Sequence, residues 1–279
     1  MHRTCSTLLL GAQLFGQSTV AQSPKSNGFN IYSNAEEKSK GLETAKTLDE
    51  ALAIAEDRTL DRYFANLTAA FAQHSASPFS FTFKAYQDRK QPMVTELKFI
   101  TPQDAFQGKA TEPICVAGGF IYIPLSLLAG APDETAFAFQ VAHAMAHIAL
   151  RHATRTLSRA DLMEKTNVGT NEPFSEQQRK GIELLRNGAQ RKLSRDYELD
   201  ADEAAVRMMV RAGFDPSTVI PYLEKLSDIK ETEPFNSYHP SRSRRIEVVK
   251  KTIAGIESQG IPVKIEGFAE AKDFAAALR

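Results

Sequence analysis

The segment FQVAHAMAHIALRH places His143 and His147 four residues apart. Pro132 and the acidic residues after it predict that this segment belongs to a helix over residues 133–154. Four residues on a helix stack both imidazoles on one face, about one turn apart, where both can bind one metal ion. His152 falls on the opposite face of such a helix and is not predicted as a ligand. The pair alone is a weak signal, because surface and core histidines also occur at this spacing.

A third ligand has to come from another part of the chain. The later segment SRDYELDADEAAVRMMVRAGFDP, within a helix predicted over Glu176–Arg211, carries Glu198 and Asp202 four residues apart on one face. Glu198 could complete a His, His, Glu zinc site, and Asp202 could accept the free ring N–H of a ligating histidine and fix its tautomer. Spacing alone instead favours a solvated acidic face, since the same segment also contains Asp196, Asp200 and Glu203.

The overall charge favours neither nucleic acid nor an anionic membrane surface as a partner. The 279 residues include 34 basic and 34 acidic side chains, so the formal net charge is zero. A local cluster of Arg151, His152 and Arg155 could bind acidic partners, but a solvated helix face is the favoured interpretation. After residue 21, no stretch approaches the roughly 20 apolar residues of a transmembrane helix.

The N-terminal sequence MHRTCSTLLLGAQLFGQSTVAQS has the pattern of a cleaved export signal over residues 1–21. A basic residue, a short apolar run and then small residues follow one another, and the run is too short to span a bilayer. A buried N-terminal helix is the alternative. Export predicts a periplasmic or secreted protein, and cleavage would leave Cys115 as the only cysteine. The mature chain would then have no internal disulfide.

Hydrophobic periodicity predicts a helix-rich α+β domain. Three- and four-residue steps of apolar residues indicate helical structure over residues 36–73, and segments rich in aromatic and β-branched residues indicate strands. The predicted strands cover 79–86, 94–100 and 114–123, and two further helices are predicted over 217–228 and 240–258. A tail over 259–279 has no functional interpretation.

Four segments in order resemble the successive motifs of metallopeptidase family forty-eight. They are GGFIYIPLSLL, HAMAHIALRHATR, the segment around Glu198, and YHPSRSRRI. This family includes the HtpX heat-shock proteases, the CAAX prenyl endopeptidases and a periplasmic branch that maintains outer-membrane proteins. The resemblance implies a zincin fold of the gluzincin type over residues 28–258, with a small sheet whose edge strand lines the cleft, and it implies polypeptide substrates or clients.

The resemblance also implies roles for single residues. One zinc ion would be bound by His143, His147 and Glu198, with Asp202 beside a ligand. His239 matches a histidine that in the periplasmic branch can approach the metal, and Arg245 matches the arginine six positions after it. A substrate backbone would pair with the edge strand at Gly118, Gly119, Phe120, Ile121 and Tyr122. The rings of Phe120 and Tyr122 could instead be core aromatics.

The chain departs from the family motif HExxH at one position, where Ala144 replaces the glutamate. A methyl group cannot accept or donate a proton, and general acid–base catalysis typically contributes ~10²- to 10⁴-fold. The first hypothesis is therefore an exported zinc-holding pseudopeptidase that binds extended or misfolded polypeptides. The second is a slow zinc metalloendopeptidase that uses zinc hydroxide, with His239 as substitute base. The third is a structural helical protein without a metal.

Overall fold

The computed structural model describes residues 29–88, 97–101, 112–167, 175–225, 239–256, 261 and 265–278. The predicted export signal over residues 1–21 lies outside these ranges. Within them, no helix combines the length and the apolar character that crossing a bilayer requires. Helices surround one small mixed sheet, which confirms the predicted helix-rich α+β class.

Nine helices lie in the described part of the chain. Their bounds are α1 (Asn34–Ala51), α2 (Arg58–Ala72), α3 (Leu125–Gly130), α4 (Glu134–Ala149), α5 (His152–Asn167), α6 (Glu176–Arg211), α7 (Val219–Lys225), α8 (Arg242–Ala254) and α9 (Phe268–Ala277). Helix α6 has the predicted bounds, and Gly213 follows it with a φ of 85°. The stretch predicted over 36–73 is two helices, because the chain leaves α1 to form a short strand before Asp57 caps α2.

The sheet contains five strands within the described residues. Their bounds are β1 (Ile54–Ala55), β2 (Thr82–Tyr86), β3 (Ile100–Thr101), β4 (Ile114–Val116) and β5 (Phe120–Pro124), and their order across the sheet is β1-β2-β5-β4-β3. The segment predicted as one strand over 114–123 is the hairpin of β4 and β5. Part of the strand predicted over 94–100 lies outside the described residues, and only its last residue is in β3.

The hairpin turn between β4 and β5 depends on two glycines. Gly118 and Gly119 have φ values of 80° and 116°, a region that side chains with a Cβ rarely adopt. A Cβ on Gly119 would also lie 2.0 Å from the carbonyl oxygen of Ser80. The turn therefore packs directly against the segment that enters β2, and β5 pairs with β2 along its whole length.

Strand β5 lies inside the sheet, which contradicts the predicted edge strand over 118–123. It pairs in parallel with β2 on one side and antiparallel with β4 on the other. Its backbone groups are therefore already used in the sheet and cannot form a ladder with a substrate. The local pattern indicated a strand correctly, but the non-local pairing with β2 decided its place in the sheet.

The helix predicted over 133–154 is also two helices. Asp133 caps the N-terminus of α4 with its side chain, as the acidic first turn indicated. Helix α4 then ends at Ala149, and Arg151 adopts a left-handed conformation with a φ of 59° before α5 begins. The chain therefore changes direction four residues after His147.

The main core lies around α4, which is buried along almost its whole length. Helix α6 packs along α4 and also against α8. The tail over 259–279 contributes α9, which packs on α3 and α2 and buries Ala271 and Ala275. The C-terminal helix is therefore part of the same hydrophobic core as α4 and α6.

Candidate metal centre

Two helices bring the three predicted ligands together. In α4, the Nε2 atoms of His143 and His147 lie 2.9 Å apart. From α6, Glu198 places Oε2 3.2 Å from Nε2 of His143 and Oε1 3.3 Å from Nε2 of His147. All three side chains are buried, and their ligand atoms form one cluster that could hold a metal ion.

The spacing and the chemistry of these atoms fit a zinc ion. Ligands bound to zinc at 2.0–2.2 Å in a tetrahedral arrangement are separated by about 3.3 Å. The measured separations of 2.9, 3.2 and 3.3 Å are close to that value. Glu198 Oε2 is buried, and no described residue gives it a hydrogen bond. A buried carboxylate oxygen without a donor is costly unless a cation satisfies it.

Asp202 contacts the ring nitrogen of His143 that faces away from the ligand cluster, and Arg245 pairs with Asp202. Asp202 Oδ1 lies 3.0 Å from Nδ1 of His143, and Arg245 donates Nε and NH2 hydrogens to the two Asp202 oxygens at 2.8 and 2.7 Å. Burial opposes the charge on Asp202, but Arg245 outweighs it and lowers the pKa of that carboxyl. Burial likewise opposes the charge on His143, but Asp202 and Glu198 raise its pKa to about 9. Asp202 therefore stays ionised, with Oδ1 within ion-pair distance of Nδ1 of His143.

Arg245 was predicted among the catalytic residues, and the structure places it in a supporting position. Its guanidinium forms a bidentate pair with Asp202, which is fully buried, and Arg245 itself is 7% exposed. Asp202 thus lies between Arg245 and the nearest ligand, His143. The position of Arg245 on α8 joins that helix to the metal face of α6.

His239 lies at the rim of the same cluster, together with a glutamate that the sequence patterns did not indicate. Nδ1 of His239 is 3.9 Å from Oε2 of Glu198 and 4.0 Å from Oε1 of Glu112. These separations exceed the spacing of ligands around one zinc ion. His239 and Glu112 therefore lie at the edge of the ligand cluster. Glu112 stands before β4 in a segment without helical spacing, so no sequence signal linked it to the histidines.

Ala144, which follows the first histidine, is 1% exposed and packs in the hydrophobic core. It carries no group that can accept or donate a proton. Glu112 and His239 are two proton-accepting side chains that the structure groups with Glu198. Ala144 therefore contributes no proton-accepting group, while His143 and His147 on the same helix hold their Nε2 atoms 2.9 Å apart.

The α4–α5 junction brings His152 next to the site, which the continuous-helix geometry did not predict. Its Nδ1 lies 3.0 Å from Nδ1 of His147, and its ring stacks on Tyr197 of α6 at 4.2 Å and 7°. Burial lowers the pKa of His152 well below its usual value, so the ring is neutral. Nε2 of His152 has no hydrogen-bond partner among the described residues.

The favoured interpretation of Arg151, His152 and Arg155 as a solvated helix face is wrong. His152 is 1% exposed, and Arg151 donates Nε–H to Glu37 at 2.7 Å. Glu37 is fully buried on α1 and also accepts a hydrogen bond from Thr154. A buried glutamate has no distinctive spacing in the sequence, so its contact with residues more than 100 positions away could not be predicted.

The five residues predicted to bind substrate lie in the hairpin turn and in strand β5, inside the sheet. The glycines form the hairpin turn against α1 and the segment before β2. Tyr122 is fully buried and donates its hydroxyl hydrogen towards the carbonyl of Ala45 and the carboxylate of Asp49. The alternative interpretation of Tyr122 as a core aromatic is therefore confirmed. Phe120 packs against the same group of buried hydrophobic side chains as Tyr122.

Comparison with known proteins agrees with the geometry. No curated protein sequence matches the chain. The model of one protein family, Peptidase family M48, matches residues 56–253, which is more than half of the 279 residues and includes every predicted ligand. The family match and the His, His, Glu cluster together show that the chain belongs to peptidase family M48.

Proposed function

We propose that this chain is a pseudopeptidase that binds one zinc ion through His143, His147 and Glu198 and holds extended or misfolded polypeptides without cleaving them efficiently. The observation that carries the proposal is the combination of a complete ligand cluster with a buried methyl group at Ala144. Membership of a peptidase family supports a polypeptide partner. The export pattern over residues 1–21 supports a periplasmic or secreted location.

Zinc, when bound, would polarise a carbonyl group and lower the pKa of water to near 7. Hydrolysis of a peptide bond also needs a side chain that takes a proton and passes it to the leaving amine. Ala144 cannot do either, and the loss of general acid–base catalysis removes ~10²- to 10⁴-fold, or roughly 3 to 5 kcal/mol of transition-state stabilisation. The ligands do not depend on that proton transfer, so the metal site would persist without it.

The ligand cluster would still orient a bound polypeptide. Helices α4 and α6 hold the three side chains by packing on both sides, because Val206, Met209 and Val210 of α6 are buried in the same core as α4. A site built on two packed helices keeps its geometry whether or not catalysis occurs. A metal that binds a carbonyl oxygen there would contribute to affinity instead of turnover.

The test compares the natural protein with Ala144→Glu and with Ala144→Gln. The glutamine has the same bulk as the glutamate without its basicity, so it controls for the crowding of a position that is 1% exposed. We expect casein cleavage by Ala144→Glu to exceed that of the natural protein by about 10²- to 10⁴-fold. The natural protein and Ala144→Gln should both bind unfolded casein and leave it intact.

Natural protein that cleaves casein at a rate near that of Ala144→Glu would refute the pseudopeptidase. Natural protein that fails to retain stoichiometric zinc after purification would refute the metal site. Natural protein that binds zinc but not unfolded casein would refute the polypeptide-binding role alone. The three readouts thus separate metal binding, catalysis and client binding.

A slow endopeptidase is the second candidate, and it is favoured by the position of His239. Its Nδ1 lies 3.9 Å from Glu198, close enough for its imidazole to take a proton at the site. If the natural protein shows zinc-dependent cleavage, His239→Ala should abolish it and Glu112→Gln should report whether the neighbouring carboxylate contributes. His74→Ala is the matched control, since His74 follows α2 and belongs to neither of the residue groups that could hold a metal. Unchanged cleavage in His239→Ala would exclude His239 as the base.

A further inference from the structure

We propose that His152 is a positioning residue of the metal centre. Its Nδ1 atom accepts the Nδ1 hydrogen of His147 and thereby keeps the Nε2 lone pair of His147 available to the metal. The inference rests on the metal site proposed above. It assigns a role to a residue that the spacing argument had placed on the opposite face of the helix.

The geometry around His147 separates its two ring nitrogens. Nε2 faces the ligand cluster, 2.9 Å from Nε2 of His143 and 3.3 Å from Oε1 of Glu198. Nδ1 faces away from it, 3.0 Å from Nδ1 of His152. A neutral imidazole carries one hydrogen, and a metal can bind only the nitrogen without it. Binding through Nε2 therefore requires the hydrogen of His147 on Nδ1, directed at His152.

Two arrangements of hydrogens fit the short Nδ1–Nδ1 contact. In the first, His147 donates and His152 accepts, and Nε2 of His147 is free to bind the metal. In the second, His152 donates, the hydrogen of His147 moves to Nε2, and that hydrogen points at Glu198 in place of the metal. Nε2 of His152 lacks a hydrogen-bond partner among the described residues in either case, so it does not favour one arrangement. Metal binding selects the first arrangement, and a residue with an acceptor at this position makes it available.

The position of the His152 ring is fixed by a ring stack and by the chain turn before it. The ring stacks on Tyr197 at a centroid distance of 4.2 Å and an interplanar angle of 7°, and Tyr197 directly precedes Glu198 on α6. The left-handed conformation of Arg151 turns the chain so that the ring faces back towards His147. Arg151 is tied to Glu37 at 2.7 Å, which anchors the junction to α1. Contacts with α6 and α1 thus orient the ring.

A neutral acceptor suits this side of the site. His143 already has the Asp202 carboxylate behind it, and Arg245 neutralises that buried charge. Another carboxylate behind His147 would add a second buried negative charge near Glu198, which is costly to bury. An imidazole accepts the hydrogen without adding charge. The two histidines are therefore oriented by chemically different acceptors.

The experiment uses two substitutions that separate ring packing from hydrogen bonding. His152→Phe keeps the stack on Tyr197 and removes the acceptor, whereas His152→Asn places an amide oxygen near the position of Nδ1 and removes the ring. Zinc affinity is measured by competition with a chelator, and the stability of the zinc-free protein is measured by urea denaturation. The visible absorption of the cobalt(II)-loaded protein reports the geometry of the ligands.

We expect His152→Phe to weaken zinc affinity by about 10- to 100-fold while the zinc-free protein keeps its stability. His152→Asn should lose stability but bind zinc much as the natural protein does, with the same cobalt(II) spectrum. Equal zinc affinity in His152→Phe and the natural protein would overturn the inference. So would a loss of zinc affinity in His152→Asn as large as in His152→Phe, because an acceptor atom at this position would then not restore zinc binding. Natural protein without zinc would overturn the proposed metal site as well.

Discussion

The two histidines of α4 contribute to one cluster but are held from opposite sides. His143 is supported by Asp202 of α6, which Arg245 of α8 neutralises. His147 is supported by His152, whose position depends on the break between α4 and α5. The first support is an ionic pair deep in a helix interface, and the second is a neutral ring at a chain reversal. One metal site thus combines a charged and an uncharged way of orienting an imidazole.

The His143 side should be the more sensitive to loss of its outer partner. Arg245→Met leaves the Asp202 carboxylate buried and unpaired, so we expect the free energy of unfolding of the zinc-free protein to fall by about 3–5 kcal/mol. Arg244→Met on the same helix is the matched control. Arg244 pairs with Glu247 at the surface, and such pairs contribute at most about 1 kcal/mol. Urea denaturation measures both. An equal, small effect of the two substitutions would show that the buried Asp202–Arg245 pair does not stabilise the protein.

Zinc bound by both histidines should stabilise the folded protein. A ligand present at 100 times its Kd stabilises the folded state by about 2.7 kcal/mol if it binds only that state. We expect this gain for the natural protein when zinc is added after chelation, measured by urea denaturation at fixed free zinc. Glu198→Gln should show no such gain, because the carboxylate that bridges the two histidines is lost. A similar gain in Glu198→Gln would place the bound zinc outside this cluster.

The smallest effect is expected at the α4–α5 junction. Arg151→Ala removes the partner of the buried Glu37, and we expect a loss of about 2 kcal/mol in the free energy of unfolding. Arg151→Gly should cost about 1 kcal/mol less, because glycine adopts a φ of 59° without the strain that a Cβ brings. Thermal denaturation of the two variants in parallel tests this. Identical stability of the variants would show that the left-handed turn stores no strain.

Regular helical segments were the part of this molecule that could be predicted. Helix α6 has the predicted bounds, because a long helical pattern ends at a glycine that adopts a positive φ. The spacing of His143 and His147 placed both rings on one face for the same reason. The choice of Glu198 among four neighbouring acidic residues did not follow from spacing, and only its resemblance to a known motif singled it out before the structure brought it to the histidines.

The predictions that failed all depended on contacts between distant parts of the chain. A continuous helix over 133–154 placed His152 on the wrong face, because Glu37, more than 100 residues earlier, holds the turn at Arg151. Strand β5 was predicted at the sheet edge, but β2 pairs with it in parallel and takes up its free side. Glu112 reaches the site through the start of β4, without any periodic pattern.

The amino-acid sequence by itself determined the ligand types, their helical spacing and the missing proton carrier at Ala144, because these are properties of residue identity and of local helix geometry. Only the tertiary structure decided which residue supports each histidine, since Arg245 comes from another helix and His152 faces His147 through the chain turn at Arg151, which Glu37 holds. The same packing buries Ala144 and sets Glu112 and His239 at the rim. Local patterns specify which side chains share a face, whereas burial and pairing between distant elements specify what that face meets.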